Sequence, residues 1–220
     1  MQPTASRLTV ELRGRERFAD TWARQLELHV QRAAGEIGDR LLLVEHEHVV
    51  TLGRHGEQSN LLLSEALLAD SGVDLHRIER GGDITYHGPG QLVGYPIISL
   101  RERGLSVHQY VAALEQALIG VAAHFGIQAQ RLAGLNGVWV GADGEEEKLA
   151  AIGVAIRRGV SYHGFALNVS TDLSHFNLIV PCGIVDRGVT SLSALLGRDV
   201  SLDEVIPVAV AELEQALAPA

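Results

Sequence analysis

The chain is poor in the residues that most often carry special chemistry. Among its 220 residues there is one Cys, one Met, two Trp and six Pro. A lone thiol, Cys182, excludes an intramolecular disulfide, and no Cys/His cluster has zinc-site spacing, so neither a metal nor another cofactor is expected. Long apolar runs are missing too: none reaches the ~18 residues of a membrane span. The first fifteen residues hold no apolar stretch followed by a small-residue cleavage site. A cytoplasmic protein with no membrane partner is the expectation. Positive charge is scarce, the net charge being −9, which argues against a nucleic-acid partner because phosphate neutralisation needs a basic face. Lysine is scarcest of all: of 18 basic residues only Lys148 is not Arg. An ammonium is a compact donor that can give up its proton, which a guanidinium cannot do, so one retained Lys in an Arg-biased chain marks a position of interest.

What is present is ordinary globular material, 46% apolar and 20% charged, and at this length a fold buries roughly 70% of the unfolded-chain surface. Leu8, Val10 and Leu12 alternate with polar residues as in a half-buried strand. From Phe18 to Ala34 the period becomes helical, with Trp22, Leu26 and Val30. Residues 40–52 read as one strand running into the turn Gly53-Arg54-His55-Gly56, and further strands are expected at 75–79 and 91–100. A helix is expected over 107–125, capped by Ser106, then an antiparallel meander at 136–140, 149–156 and 160–169. A last helix, 202–217, carries the capping-box pair Ser201 and Glu204. The expected fold is α+β (α/β): one domain over 1–220 with a mixed, largely antiparallel sheet flanked by helices. The last ~30 residues can alternatively form a small helical appendage.

Three segments can carry chemistry. In Arg80-Gly81-Gly82-Asp83-Ile84-Thr85-Tyr86-His87-Gly88-Pro89-Gly90-Gln91, four Gly and one Pro demand sharp turns or close approach to a ligand. It is neither a Walker loop nor a dinucleotide fingerprint, and it reads as a loop, either binding or purely connecting. Cys182, between Pro181 and Gly183, is either a small buried hydrophobe or an accessible nucleophile on a turn, which Lys148 could assist. In Tyr162-His163-Gly164-Phe165-Ala166-Leu167-Asn168 the small residues open one strand face, and His163 reads as a structural donor. His46, His48 and His55 lack a matching carboxylate or thiolate set and read as a solvated loop.

Together with Lys148-Leu-Ala-Ala-Ile-Gly153, Pro181-Cys-Gly-Ile184 and Gly188-Val-Thr-Ser-Leu192, these segments resemble the bacterial octanoyltransferases of lipoate biosynthesis, in the biotin and lipoate protein ligase superfamily. The resemblance runs from Leu41 to Leu196. It implies the α/β core of those ligases and transfer of an octanoyl group from acyl carrier protein to a lysine of lipoyl domains, in 2-oxoacid dehydrogenases and the glycine-cleavage H protein. It implies a thioester on Cys182, with Lys148 as its partner. Acyl-binding residues are implied at Arg80, Gly81, Gly82, Asp83, Ile84, Thr85, Tyr86 and His87, at Ala151, Ile152 and Gly153, and at Gly164, Phe165 and Ala166. Two departures stand out: Glu47-His48, where the pattern implies prolines, and the acidic Glu145 to Glu147 beside Lys148. The alternatives are an ATP-dependent lipoate or biotin ligase, which needs no nucleophilic thiol, and a non-catalytic acyl-binding or carrier-docking protein. Acidic partners would be met by Arg157 and Arg158, if the strand from Lys148 holds them at the same cleft.

Overall fold

A computed structural model describes residues 8–180 and 187–218. The chain runs β1 (Thr9–Glu16), α1 (Phe18–Ala33), β2 (Arg40–His46), β3 (Val49–Leu52), α2 (Glu65–Asp70), β4 (Asp74–Arg77), β5 (Ile84–His87), β6 (Gln91–Ile97) and α3 (Val107–His124). It continues through β7 (Ala129–Leu132), β8 (Leu135–Val140), β9 (Glu147–Arg157), β10 (Val160–Asn168), α4 (Leu192–Leu196) and α5 (Leu202–Ala216), with a 3₁₀ turn at Leu173–Leu178. Seven strands form one sheet in the order β1-β2-β6-β10-β9-β8-β7, antiparallel except for β1 against β2. Three form another, β4-β3-β5.

The second sheet departs from the sequence reading. Residues 40–52 are not one strand: the chain leaves the large sheet after His46 and enters the small one at Val49, where Val49 still packs with Val44 in the α1-side core while Val50 and Leu52 enter the core of the small sheet. The glycine-rich segment is likewise only partly loop, since Ile84–His87 pairs with β3. The meander is antiparallel as read.

Helices α3 and α5 cover one face of the large sheet through Leu114, Leu118, Val121, Val205, Ala209 and Leu213, all fully buried in one cluster. The C-terminal helix therefore belongs to the main core rather than to an appendage. Both helices begin with a capping box, at Ser201 as read from the sequence and at Ser106, read only as a cap, completed by Gln109, each cap worth about 1 kcal/mol. On the opposite face α1 lays Phe18 and Leu28 against Leu42, Val44, Val93 and Tyr95. Its C-terminal turn is tied down by a buried ion triad: Asp39, 4% exposed, accepts from Arg32 Nε and Arg103 Nε at 2.7 Å each and from the Ser99 amide at 3.1 Å.

Candidate active site

A cavity of about 300 Å³ opens where the small sheet meets the α1 face of the large one. That is the low end of the usual range for small-molecule sites, roughly 300–1,000 Å³. Strand register explains its floor: Ala166 of β10 lies between Val93 of β6 and Ala151 of β9, and two residues along Gly164 pairs with Gly153. Four small residues on two neighbouring strands thus leave a trough, with Val93 and Tyr95 alongside. Phe18 lines the same space from the start of α1, and Ile152 and Phe165 complete the floor.

Lys148 also lines this cavity, although strict alternation along β9 would place it on the face opposite Ala151 and Gly153. A bulge resolves the conflict. Val138 and Trp139, adjacent on β8, pair with Ala150 and Lys148, so Leu149 is the extra residue and the parity of the strand changes there. The lysine is 8% exposed, and its Nζ sits 4.7 Å from the centre of the Trp139 ring. Its backbone is held from the other side by residues that follow the cysteine segment: the Lys148 amide donates to Gly188 O at 2.9 Å, and the Thr190 amide donates to Lys148 O at 3.0 Å. Of the acidic run beside it, Glu146 forms an ion pair with Arg187.

The opposite wall is the segment from Arg80. The Gly53, Arg54 and His55 amides donate to carbonyls of Asp83, Arg80 and Gly82, zipping the two glycine-containing turns together. A Cβ on Gly53 would lie 2.4 Å from Gly82 O, so only glycine permits this approach. Arg80, 7% exposed, is anchored through Nη2 to Thr51 O at 2.8 Å and Thr51 Oγ1 at 3.0 Å. Arg80, Gly82, Asp83, Thr85 and His87 line the cavity, whereas Gly81, Ile84 and Tyr86 do not. The reason is the two-residue period of β5, which turns Ile84 and Tyr86 into the core of the small sheet, while Gly81 spends its amide on Val154 O at 2.9 Å. Those three of the residues implied at 80–87 therefore lie off this cavity.

Histidines crowd the Phe18 side. Gln91 Nε2 donates to Tyr86 O at 3.3 Å and to Asn168 Oδ1 at 2.9 Å, which turns its Oε1 towards His87 Nδ1 at 2.8 Å. Nδ1 must therefore carry the ring proton, leaving Nε2 as the bare nitrogen of His87. Burial, helped by neighbouring His46, holds this ring neutral, its pKa lowered to about 3. Asn168 Nδ2 continues the chain of bonds to Thr190 O at 3.0 Å, and so to the residue paired with Lys148. His46 is not on a solvated loop: it is fully buried, its Nε2 2.7 Å from Tyr95 Oη and its Nδ1 3.2 Å from Glu16 O. His48, at the departure from the family pattern, lies 2.7 Å from Tyr86 Oη and stacks on His175 at 4.6 Å. His163, at φ 55°, lines the cavity, and its Nε2 has no hydrogen-bond partner among the described residues.

Cys182 lies outside the described residues. Sequence reasoning did not find Phe18, His55, Leu135 and Asn136 on the cavity wall. Phe18 was legible only as a helical core position, His55 comes from a turn, and Leu135 and Asn136 open β8, whose approach to the cavity no period announces. Arg157 does not share the lysine's rim, since nine residues of strand at ~3.3 Å each separate them by roughly 30 Å. Exposed Arg54 and His55 are the basic residues beside the cavity instead. Among the described residues no three His, Cys, Asp or Glu side chains gather as a metal site, and no helix is long and apolar enough to cross a membrane.

A sequence model of the lipoyl protein ligase A/B catalytic domain matches residues 17–214. The octanoyltransferase of Acidobacterium capsulatum is 55% identical over 188 residues, covering 81% of this chain and 76% of that protein. The octanoyltransferase of Bacteroides fragilis is 47% identical over 194 residues, covering 86% and 88%. Among solved structures, the bipartite lipoate protein ligase of Thermoplasma acidophilum superposes with a TM-score of 0.73 at 19% identity, over 96% of this chain and 83% of that one, a likeness of fold.

Proposed function

The chain belongs to the lipoyl protein ligase A/B catalytic domain family and catalyses octanoyl transfer in protein lipoylation; we propose that it draws the octanoyl group from acyl carrier protein and passes it, through a thioester on Cys182, to a lysine of a lipoyl domain. The acceptors are lipoyl domains of 2-oxoacid dehydrogenases and the glycine-cleavage H protein, and the reading places the chain with them in the cytoplasm. The observation that carries the mechanism is the position of Lys148, which lines a small-residue trough while its backbone is hydrogen-bonded to Gly188 and Thr190, shortly after Cys182 in the sequence.

Lys148 Nζ takes the proton of the Cys182 thiol, and the thiolate attacks the carbonyl carbon of the incoming thioester. The enzyme C–S bond forms, the donor C–S bond breaks, and the departing thiolate leaves as a thiol with the proton from Lys148. In the second half the acceptor amine attacks the acyl-enzyme, a C–N bond forms as the enzyme C–S bond breaks, and the amine's proton passes through Lys148 to the departing Cys182 thiolate. Thioester exchange is nearly balanced and amide formation runs downhill, so no nucleotide is consumed. Burying about seven methylenes in the trough supplies roughly 5–6 kcal/mol before ordering costs. Ala151, Gly153, Gly164 and Ala166 make the room, and Arg80, Thr85 and His87 form the wall.

Mixing the protein with octanoyl acyl carrier protein and mapping the modified peptide by mass spectrometry tests the reading. The expected result is an octanoyl group on Cys182, lost on addition of a lipoyl domain. Full transfer by Cys182→Ala would refute the thioester route, and transfer by that variant only with ATP and free octanoate would establish the ligase alternative.

A further inference from the structure

The ring beneath Lys148 is the most unusual group near the site. Trp139 is 1% exposed, and its Nε1 donates no hydrogen bond among the described residues. Burying an unpaired N–H is unfavourable, and a phenyl or leucyl side chain would fill the position without it. What the indole offers that they lack or offer more weakly is its π face. Trp139 and Lys148 are register partners across β8 and β9, with Nζ 4.7 Å from the ring centre. A second cation, Arg187, reaches the same ring with its guanidinium carbon at 5.9 Å, and Glu146 holds that guanidinium in an ion pair. Gly137 clears the approach: a Cβ there would lie 2.6 Å from Ala150 O and 3.7 Å from Lys148 Cε.

We propose that Trp139 is a positioning residue for the transfer, its indole face holding Lys148 Nζ at the cavity and stabilising the ammonium formed when it takes a proton, while Glu146 neutralises Arg187, the second cation on that ring. The inference rests on the reading that Lys148 moves the proton. Two cations over one ring would otherwise repel each other, and the carboxylate of Glu146 compensates the one that has no part in proton transfer. The exit of the cysteine segment is thereby pinned to the platform that holds its partner, through Arg187 and through the Gly188 and Thr190 backbone bonds.

Three variants test it. Trp139→Phe keeps a weaker π face and should retain kcat within about threefold, whereas Trp139→Leu should lose roughly tenfold or more in kcat with KM for the acyl donor nearly unchanged. In a Trp22→Phe background Trp139 is the remaining tryptophan. Removing the cation by Lys148→Met in that background should shift its emission maximum. A folded Trp139→Leu enzyme with native kcat would overturn the proposal, as would Phe and Leu variants with equal loss, or an emission unmoved by Lys148→Met. If Trp139→Leu does not fold, the emission pair decides. Native turnover by Lys148→Met would instead remove the proton-transfer reading itself, which separates the two failures.

Discussion

Substitution of Ala166 by Val probes the trough where the register argument is tightest. Ala166 is 3% exposed, paired with Val93 on one side and Ala151 on the other, all three lining the cavity. Val adds two methyl groups, and neither neighbouring strand can move away, since β10 is hydrogen-bonded to both. The added carbons must occupy space that an acyl chain would fill. The longest chain accommodated then shortens by about two carbons, and octanoyl transfer loses about 1.6 kcal/mol, at ~0.8 kcal/mol per buried methylene. That is roughly fifteenfold in kcat/KM. The assay is kcat/KM for a series of small acyl thioesters from butyryl to decanoyl. A loss for octanoyl and decanoyl with hexanoyl and butyryl spared is expected. An equal loss at every length would show that Ala166 borders the reacting carbonyl rather than the chain, and no loss at any length would show that the trough is not the acyl slot.

Two further outcomes concern stability. Asp39→Ala removes the buried carboxylate shared by Arg32 and Arg103, leaving Arg32 its pair with the exposed Glu102 and Arg103 its bond to Leu217 O, and should cost about 3 kcal/mol in urea unfolding, whereas a cost under 1 kcal/mol would mean that the triad is replaceable by water. Burial lowers the pKa of His46 to about 4 and of His87 and His163 to about 3, so the folded state resists protons that the unfolded chain accepts near 6.5. Their stabilisation is complete above about pH 6.5 and falls with pH towards the folded values, by up to about 1.4 kcal/mol per pH unit for each ring. Urea midpoints should therefore decrease steadily from pH 7 to pH 5, and flat midpoints over that range would contradict the burial argument.

The helices and the large sheet were legible because period and caps act locally: the Ser106 and Ser201 caps and the alternation of Val93, Tyr95 and Ile97 each set their element without distant help, whereas in α1 the period gave the helix but not its face, since Leu26 and Val30 are exposed and Leu28 is buried with Phe18. The break at Glu47-His48 was not legible, because buried residues on both sides look alike whether they enter one core or two. Strand β5 was hidden by the glycines around it, and with it the alternation that sends Tyr86 to His48 and His175 rather than to the cavity. The small residues at 151, 153, 164 and 166 were visible individually. That they face one another depends on the pairing of β9 with β10, which no local pattern states.

The unpaired Leu149 acts on β9 much as a frameshift acts on a message. Residues after it are read in one phase, presenting Ala151 and Gly153 to the trough, and Lys148 before it is read in the other. Side-chain identity and local composition could be kept nearly intact and the lysine still lost from the cavity, simply by deleting the one residue between Lys148 and Ala150. The ammonium would then point at the fully buried Leu114 and Val121 side of the sheet, where a charge has neither a partner nor water. Length variation in the β8–β9 turn is therefore compatible with a lysine at the cavity, because it lies upstream of both Lys148 and the bulge, whereas a single-residue deletion at 149 is not.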